Sequence, residues 1–209
     1  MRIAETFLSI QGEGLMIGRL TFFVRTSGCN LRCSWCDTGF SQDPAYGRDM
    51  DLDEIMDAAG DVRNVCLTGG EPLEQRDAQE LLRRFVDAGK TVVLETNGSK
   101  DLSIVPDSQN IIISMDWKCP SSGMQDRMLL SNIGLLSGKD QLKFVIADRT
   151  DLDYAERFIS EHPTDANVIF SPVGGMDLLF LAEEVVSKRI DVRVMPQLHK
   201  IIWGNRQGV

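Results

Sequence analysis

Residues 64–96, NVCLTGGEPLEQRDAQELLRRFVDAGKTVVLET, contain one complete architectural unit. A short apolar run, NVCLT (64–68), enters a Thr-Gly-Gly-Glu-Pro turn. EQRDAQELLRRFVDAGK (74–90) follows, with apolar residues at three- and four-residue spacing, and TVVLET (91–96) is a second apolar run. Two buried-type runs joined by an amphipathic stretch predict parallel strands with a helix crossing over them.

The alternation continues in both directions. RLTFFVRT (19–26), NIIISMD (110–116), QLKFVIA (141–147), NVIFSP (167–172) and DVRVMPQ (191–197) read as further strands. DLDEIMDAAG (51–60), DRMLLSNIGLLSG (126–138), DLDYAERFISEH (151–162) and MDLLFLAEEVVSKR (176–189) read as helices, several opening after Asp and closing at Gly as caps require. The repetition predicts an α/β fold, a parallel sheet with helices outside. A closed eight-unit barrel takes about 250 residues. With 209 residues, the chain is expected to form a partial (β/α)6-type barrel in a single domain spanning 1–209. TGFSQDPAYGRDM (38–50) has turn residues without periodicity and is expected to be a long loop after the first strand of that barrel.

Composition narrows the function classes. The net charge of −9 disfavours phosphate-backbone binding, so no nucleic-acid partner is expected and a small-molecule substrate fits better. No apolar run approaches the roughly 18 residues of a membrane span. The start MRIAETFLSIQGEG lacks the pattern of a secretory signal, which predicts a cytoplasmic location without membrane attachment. Five cysteines, an odd number, argue against a disulfide framework.

Three of those cysteines lie together in GCNLRCSWCDT (28–38). A closed zinc site wants four ligands, and here the second pair is missing. Cys66 and Cys119 are single and read as a small apolar strand residue and a loop thiol, neither a ligand; His162 falls at a helix end and His199 lies far off in sequence. Zinc or a redox thiol site remains the alternative, but Cys29, Cys33 and Cys36 suit three corners of a [4Fe-4S] cube with the fourth iron open.

CNLRCSWC (29–36) resembles the C-x3-C-x-aromatic-C signature of the radical S-adenosylmethionine superfamily, and the turn at 68–72 resembles its GGE element. SIQGEG (9–14), FFVRTSGCNLRCSWCDT (22–38), SMDWKCPSSG (114–123) and MPQLHKIIWG (195–204) are similar to the 7-carboxy-7-deazaguanine synthase family within it. The resemblance implies a partial barrel with the cluster loop after strand 1, a [4Fe-4S] cluster on the three cysteines, S-adenosyl-L-methionine, and Mg2+ on Thr38. It also implies conversion of 6-carboxy-5,6,7,8-tetrahydropterin to 7-carboxy-7-deazaguanine with loss of ammonia, on the way to queuosine or archaeosine. The cofactor residues it implies are Trp35, Asp37, Thr38, Gly70, Glu71, Ser114, Met115, Asp116, Ser171, Pro172, Val173 and Gly174, with Glu71 accepting the methionine ammonium. On the substrate side it implies Ile10, Gln11, Gly12, Arg25, Thr68, Pro196, Gln197 and His199; the Arg25 guanidinium offers a fork to the pterin carboxylate, and His199 could equally be structural. An electron donor such as flavodoxin or ferredoxin and a homodimer follow from the same resemblance. The nearest rival is a radical activating enzyme that works on a partner protein; a non-catalytic zinc or iron-sulfur binding module is a second.

Overall fold

Ahead of the first expected strand, residues 2–10 form another. In the computed structural model, which describes residues 1–209, the sheet has nine strands. β1 (Arg2–Ile10) pairs antiparallel with β2 (Leu20–Thr26), and the two-residue β3 (Arg48–Asp49) pairs antiparallel with β1. From β2 onward every pairing is parallel, through β4 (Asn64–Gly69), β5 (Thr91–Thr96), β6 (Ile111–Trp117), β7 (Gln141–Ile146), β8 (Asn167–Pro172) and the short β9 (Arg193–Val194). The cluster loop therefore follows the first parallel strand, β2, as expected, although that strand is second in the chain. The sheet runs from β3 to β9 without those edges pairing, so the barrel is partial.

Helices α1 (Leu52–Ala59), α2 (Ala78–Asp87), α3 (Arg149–Glu161) and α4 (Leu179–Lys188) carry crossovers, and α5 (Leu198–Trp203) ends the chain. Asp51 and Asp148 cap α1 and α3 by accepting from Glu54 N–H at 2.8 Å and Asp151 N–H at 3.0 Å, each worth about 1 kcal/mol. The helices bury one face against the sheet. Leu81, Leu82, Phe85, Phe144 and Phe170 are fully buried in that layer, where each large apolar side chain contributes about 1.5–3 kcal/mol.

Three expected elements differ. Residues 126–138 form tight 3-10 turns, Gln125–Arg127 and Leu130–Leu135, and not an α-helix. The buried Asn132 side chain explains this, since it accepts from Leu102 N–H at 3.0 Å and donates to Gly98 O at 3.0 Å and Lys100 O at 2.7 Å, tying the segment to the β5–β6 connection. The helix expected from 74 starts at Ala78, because Pro72–Glu74 make a separate turn. Of the strand expected over 191–197 only Arg193–Val194 pair, and MPQ leads into α5.

On the sheet's inner face the Phe7 and Phe23 rings stack at 4.8 Å between centroids, with Cys66 and Val93 packed beneath them. Cys66 is buried in its strand as read, and Cys119, read as a loop thiol, is also fully buried and packs into the main apolar core. No helix is long and apolar enough to cross a membrane.

Candidate active site

The carboxyl ends of the parallel strands surround one large cavity, and the cluster loop forms part of its wall. Gly28, at φ +92°, turns the chain out of β2 in a conformation that favours glycine. Its N–H donates to Ser41 O at 2.8 Å, Cys29 N–H donates to Gln42 O at 3.3 Å, and Cys36 N–H donates to Cys33 O at 3.3 Å. These bonds fold residues 29–36 back so that all three free, half-buried thiols line the cavity. Burial pushes the Cys29 and Cys33 thiols above their usual pKa.

No three His, Cys, Asp or Glu side chains come close enough to hold a lone ion. Three sulfurs spread along one bent loop fit a multi-iron cluster, whose thiolates each bind a different iron. Cys29 Sγ also lies 3.4 Å from Leu31 N–H and 3.8 Å from Asn97 Nδ2, the donor contacts by which proteins tune such sulfurs.

The Gly-Gly-Glu turn braces this loop from below. Glu71 N–H donates to Gly28 O at 2.9 Å. A Cβ on Gly70 would stand 2.1 Å from Gly28 O and 3.0 Å from Cys29 Cβ, so only glycine lets the turn and the loop touch. The Glu71 carboxylate, which the resemblance assigns to the methionine ammonium, is fully buried just behind the cavity lining. It accepts from Leu73 N–H at 3.0 Å, Thr96 Oγ1–H at 2.9 Å and Asn97 N–H at 2.8 Å. Burial raises its pKa against those donors. Its place is that of a brace between the β4 and β5 ends.

Strand alternation sorts the next residues. Ser114 and Asp116 on β6 face the cavity, while the side chain of Met115 between them points into the core and leaves only its backbone on the cavity side. Trp35, Asp37, Thr38, Gly70, Ser171, Pro172, Val173 and Gly174 line the cavity, as do Ile10, Gln11, Gly12, Arg25, Thr68 and His199. Pro196 does not line it, whereas its neighbour Gln197 does. Arg25 donates through Nε to Glu5 Oε1 at 2.8 Å, so one carboxylate from β1 already orients its fork. Thr38 Oγ1 sits 3.8 Å from Cys36 Sγ.

Between these walls runs a charge network that local motifs do not reveal. Lys143 Nζ on β7 is 2.5 Å from Glu13 and 3.4 Å from Asp116, and Lys118 Nζ is 3.1 Å from Asp116. Burial would push Glu13 up, but Lys143 and the Gln197 amide hold it down at about 2. Burial lowers Lys143, but Glu13, Asp116 and Glu95 outweigh it and set its pKa well above the usual range. Glu95 on β5 accepts from Thr68 Oγ1 at 2.7 Å and from Gln11 Nε2 at 3.3 Å. Glu95, Asn97 and Lys143 are residues that no motif singles out, whereas Glu13 stands inside the SIQGEG stretch.

The C-terminal segment closes the rim. Leu198 N–H donates to Gly12 O at 2.8 Å, and Gln197 Nε2 donates to Glu13 Oε1 at 2.6 Å. His199 packs so closely on Gly12 that a Cβ there would meet its Nδ1 at 2.2 Å.

Comparison with known proteins agrees with this geometry. Residues 23–110 match the radical SAM superfamily model. The chain is 42% identical to 7-carboxy-7-deazaguanine synthase of Thermoplasma acidophilum across all of both chains. It is 45% identical to that of Methanospirillum hungatei, over 97% of this chain and 85% of the other. The crystal structure of QueE from Escherichia coli superposes with a TM-score of 0.74 over 94% of this chain and 93% of that one, at 20% identity. Full-length identity at this level, on a cavity walled by the three-cysteine loop and the Gly-Gly-Glu turn, means that the chain belongs to the 7-carboxy-7-deazaguanine synthase family of radical SAM enzymes.

Proposed function

We propose that the chain converts 6-carboxy-5,6,7,8-tetrahydropterin to 7-carboxy-7-deazaguanine with loss of ammonia, a step of 7-deazapurine biosynthesis. The observation that carries this reading is that three thiols, Gly69 and Gly70 of the Gly-Gly-Glu turn and the Ile10–Glu13 segment, distant in sequence, wall a single cavity. When bound, a reduced [4Fe-4S] cluster supplies the electron that cleaves S-adenosylmethionine to the radical that takes hydrogen from the pterin. The residues divide the remaining work. Cys29, Cys33 and Cys36 hold the cluster, and Trp35 and Ser114 lie beside them for the cofactor. Glu71 serves that site at one remove, keeping the Asn97 backbone and the Gly28 loop in place.

On the opposite wall, Arg25 presents its guanidinium end to a carboxylate after Glu5 has fixed its Nε. Backbone at Ile10–Gly12, with Thr68, offers donors and acceptors to the amide and amino edge of a pterin. Thr38 supplies a neutral oxygen to Mg2+, which keeps its other positions for water and substrate oxygens. His199 and Gln197, both half-buried, close the rim. A flavodoxin- or ferredoxin-like donor supplies the electron. Apolar side chains on α4 support a homodimer, for Leu179 is 67% and Val186 76% exposed.

The test is an anaerobic assay with the pterin, S-adenosylmethionine, reductant and Mg2+, read by mass spectrometry. A product lighter by NH3 is expected from wild type and none from Cys33→Ala. Unchanged pterin with iron-loaded wild type would overturn the assignment.

A further inference from the structure

The Cys-Pro-Ser-Ser-Gly turn (119–123) stands out in the sequence beside β6, yet none of its side chains lines the cavity. Its bonds go to the cluster loop instead. Ser34 N–H donates to Ser122 O at 3.1 Å and Ser34 Oγ to Ser121 O at 2.5 Å. The Trp35 indole Nε1–H donates to Ser121 Oγ at 2.9 Å, and that hydroxyl donates its own proton to Asp151 Oδ2 at 2.5 Å.

Asp151 lies in the first turn of α3 and is fully buried. Its carboxylate makes no ion pair; it accepts Ser121 N–H at 2.9 Å and Ala147 N–H at 2.9 Å. Burying an unpaired carboxylate is costly, and donors of this kind offset the cost only if they are held in place. The arrangement also fixes a polarity. A serine has one hydroxyl proton, so with that proton committed to Asp151 only lone pairs face Trp35, which has only a donor to offer. The Lys118 ammonium sits over the indole at 5.2 Å from its centroid, so the ring is held at its edge and on one face.

We propose that Asp151, acting through Ser121, is a positioning residue that fixes the plane of Trp35, the surface against which the adenine of S-adenosylmethionine packs. This rests on the placement of the cofactor beside Trp35 given above. Neither Ser121 nor Asp151 touches the cofactor. They set the attitude of the residue that does.

The experiment compares the Kd of iron-loaded protein for S-adenosylmethionine among variants. Ser121→Ala removes the acceptor and should weaken binding about three- to tenfold, the value of one hydrogen bond, and Trp35→Phe, which removes the donor and part of the ring surface, should weaken it by at least as much, both with iron per chain at the wild-type level. Ser121→Thr keeps the hydroxyl and should restore affinity. The double variant should bind no more weakly than Trp35→Phe alone, because the shared bond is already lost in it. Asp151→Asn should weaken binding to the same degree; should that variant fail to fold, the Ser121 and Trp35 set decides alone. Wild-type affinity in Ser121→Ala, or additive losses in the double variant, would overturn the relay. Iron-loaded wild type with no affinity for S-adenosylmethionine would overturn the cofactor placement itself.

Discussion

A single methyl group is more than position 70 can hold. Its Cβ would fall against the backbone oxygen of Gly28, which cannot swing aside as a flexible side chain would. Gly70→Ala should therefore destabilise the protein by about 1–3 kcal/mol and lower iron per chain, measured by thermal denaturation and iron assay. Position 71 fails differently. Three donors converge on that carboxylate, so Glu71→Gln sets an amide N–H against one of them and should cost about 1–3 kcal/mol, visible as a lower Tm. Cys29, Cys33, Cys36 and Gly70 were legible because their chemistry is concentrated in short motifs. Glu95 and Lys143 were not, since each is one charged residue within an apolar strand and gains meaning only when Thr68 or Glu13 arrives from far along the chain.

The strands and helices were legible where periodicity and burial agree. β2 and β4 through β8 carry apolar runs that bury one face under the helices, and α3 carries a clear stripe. β1 escaped because Glu5 and Thr6 interrupt its apolar residues, and the neighbour that makes it a strand is a partner across a turn. The 126–138 segment misled because its spacing is helical while Asn132 is claimed by the β5–β6 connection. α5 is too short to show a period, yet it seats Gln197 and His199 over the rim. Gln197→Ala should raise the KM for the pterin about tenfold, taking the Glu13 contact as a charge-assisted bond, while leaving iron per chain and the Kd for S-adenosylmethionine unchanged. Steady-state kinetics and a binding titration check this.

For the molecule as a whole, pH acts through the cavity charges. Glu13 is held below its usual 4.5, at about 2, so its contribution to stability is present above 4.5 and fades as pH falls toward 2. Lys143 is raised above its usual 10.5, so its contribution is present below that value and fades only in stronger alkali. Urea unfolding should show acid sensitivity between pH 4.5 and 2 that is reduced in Glu13→Gln. Assembly is tested by sedimentation, with wild type expected as a dimer and Val186→Asp as a monomer. The clasp between Gln197 and Glu13 joins positions 184 residues apart. The helix that follows Gln197 buries none of its residues, so this end of the clasp opens more readily than the sheet. Amide exchange at Leu198 should accordingly outpace that of the sheet, giving ligands an entrance that opens on its own clock while the strands stay zipped.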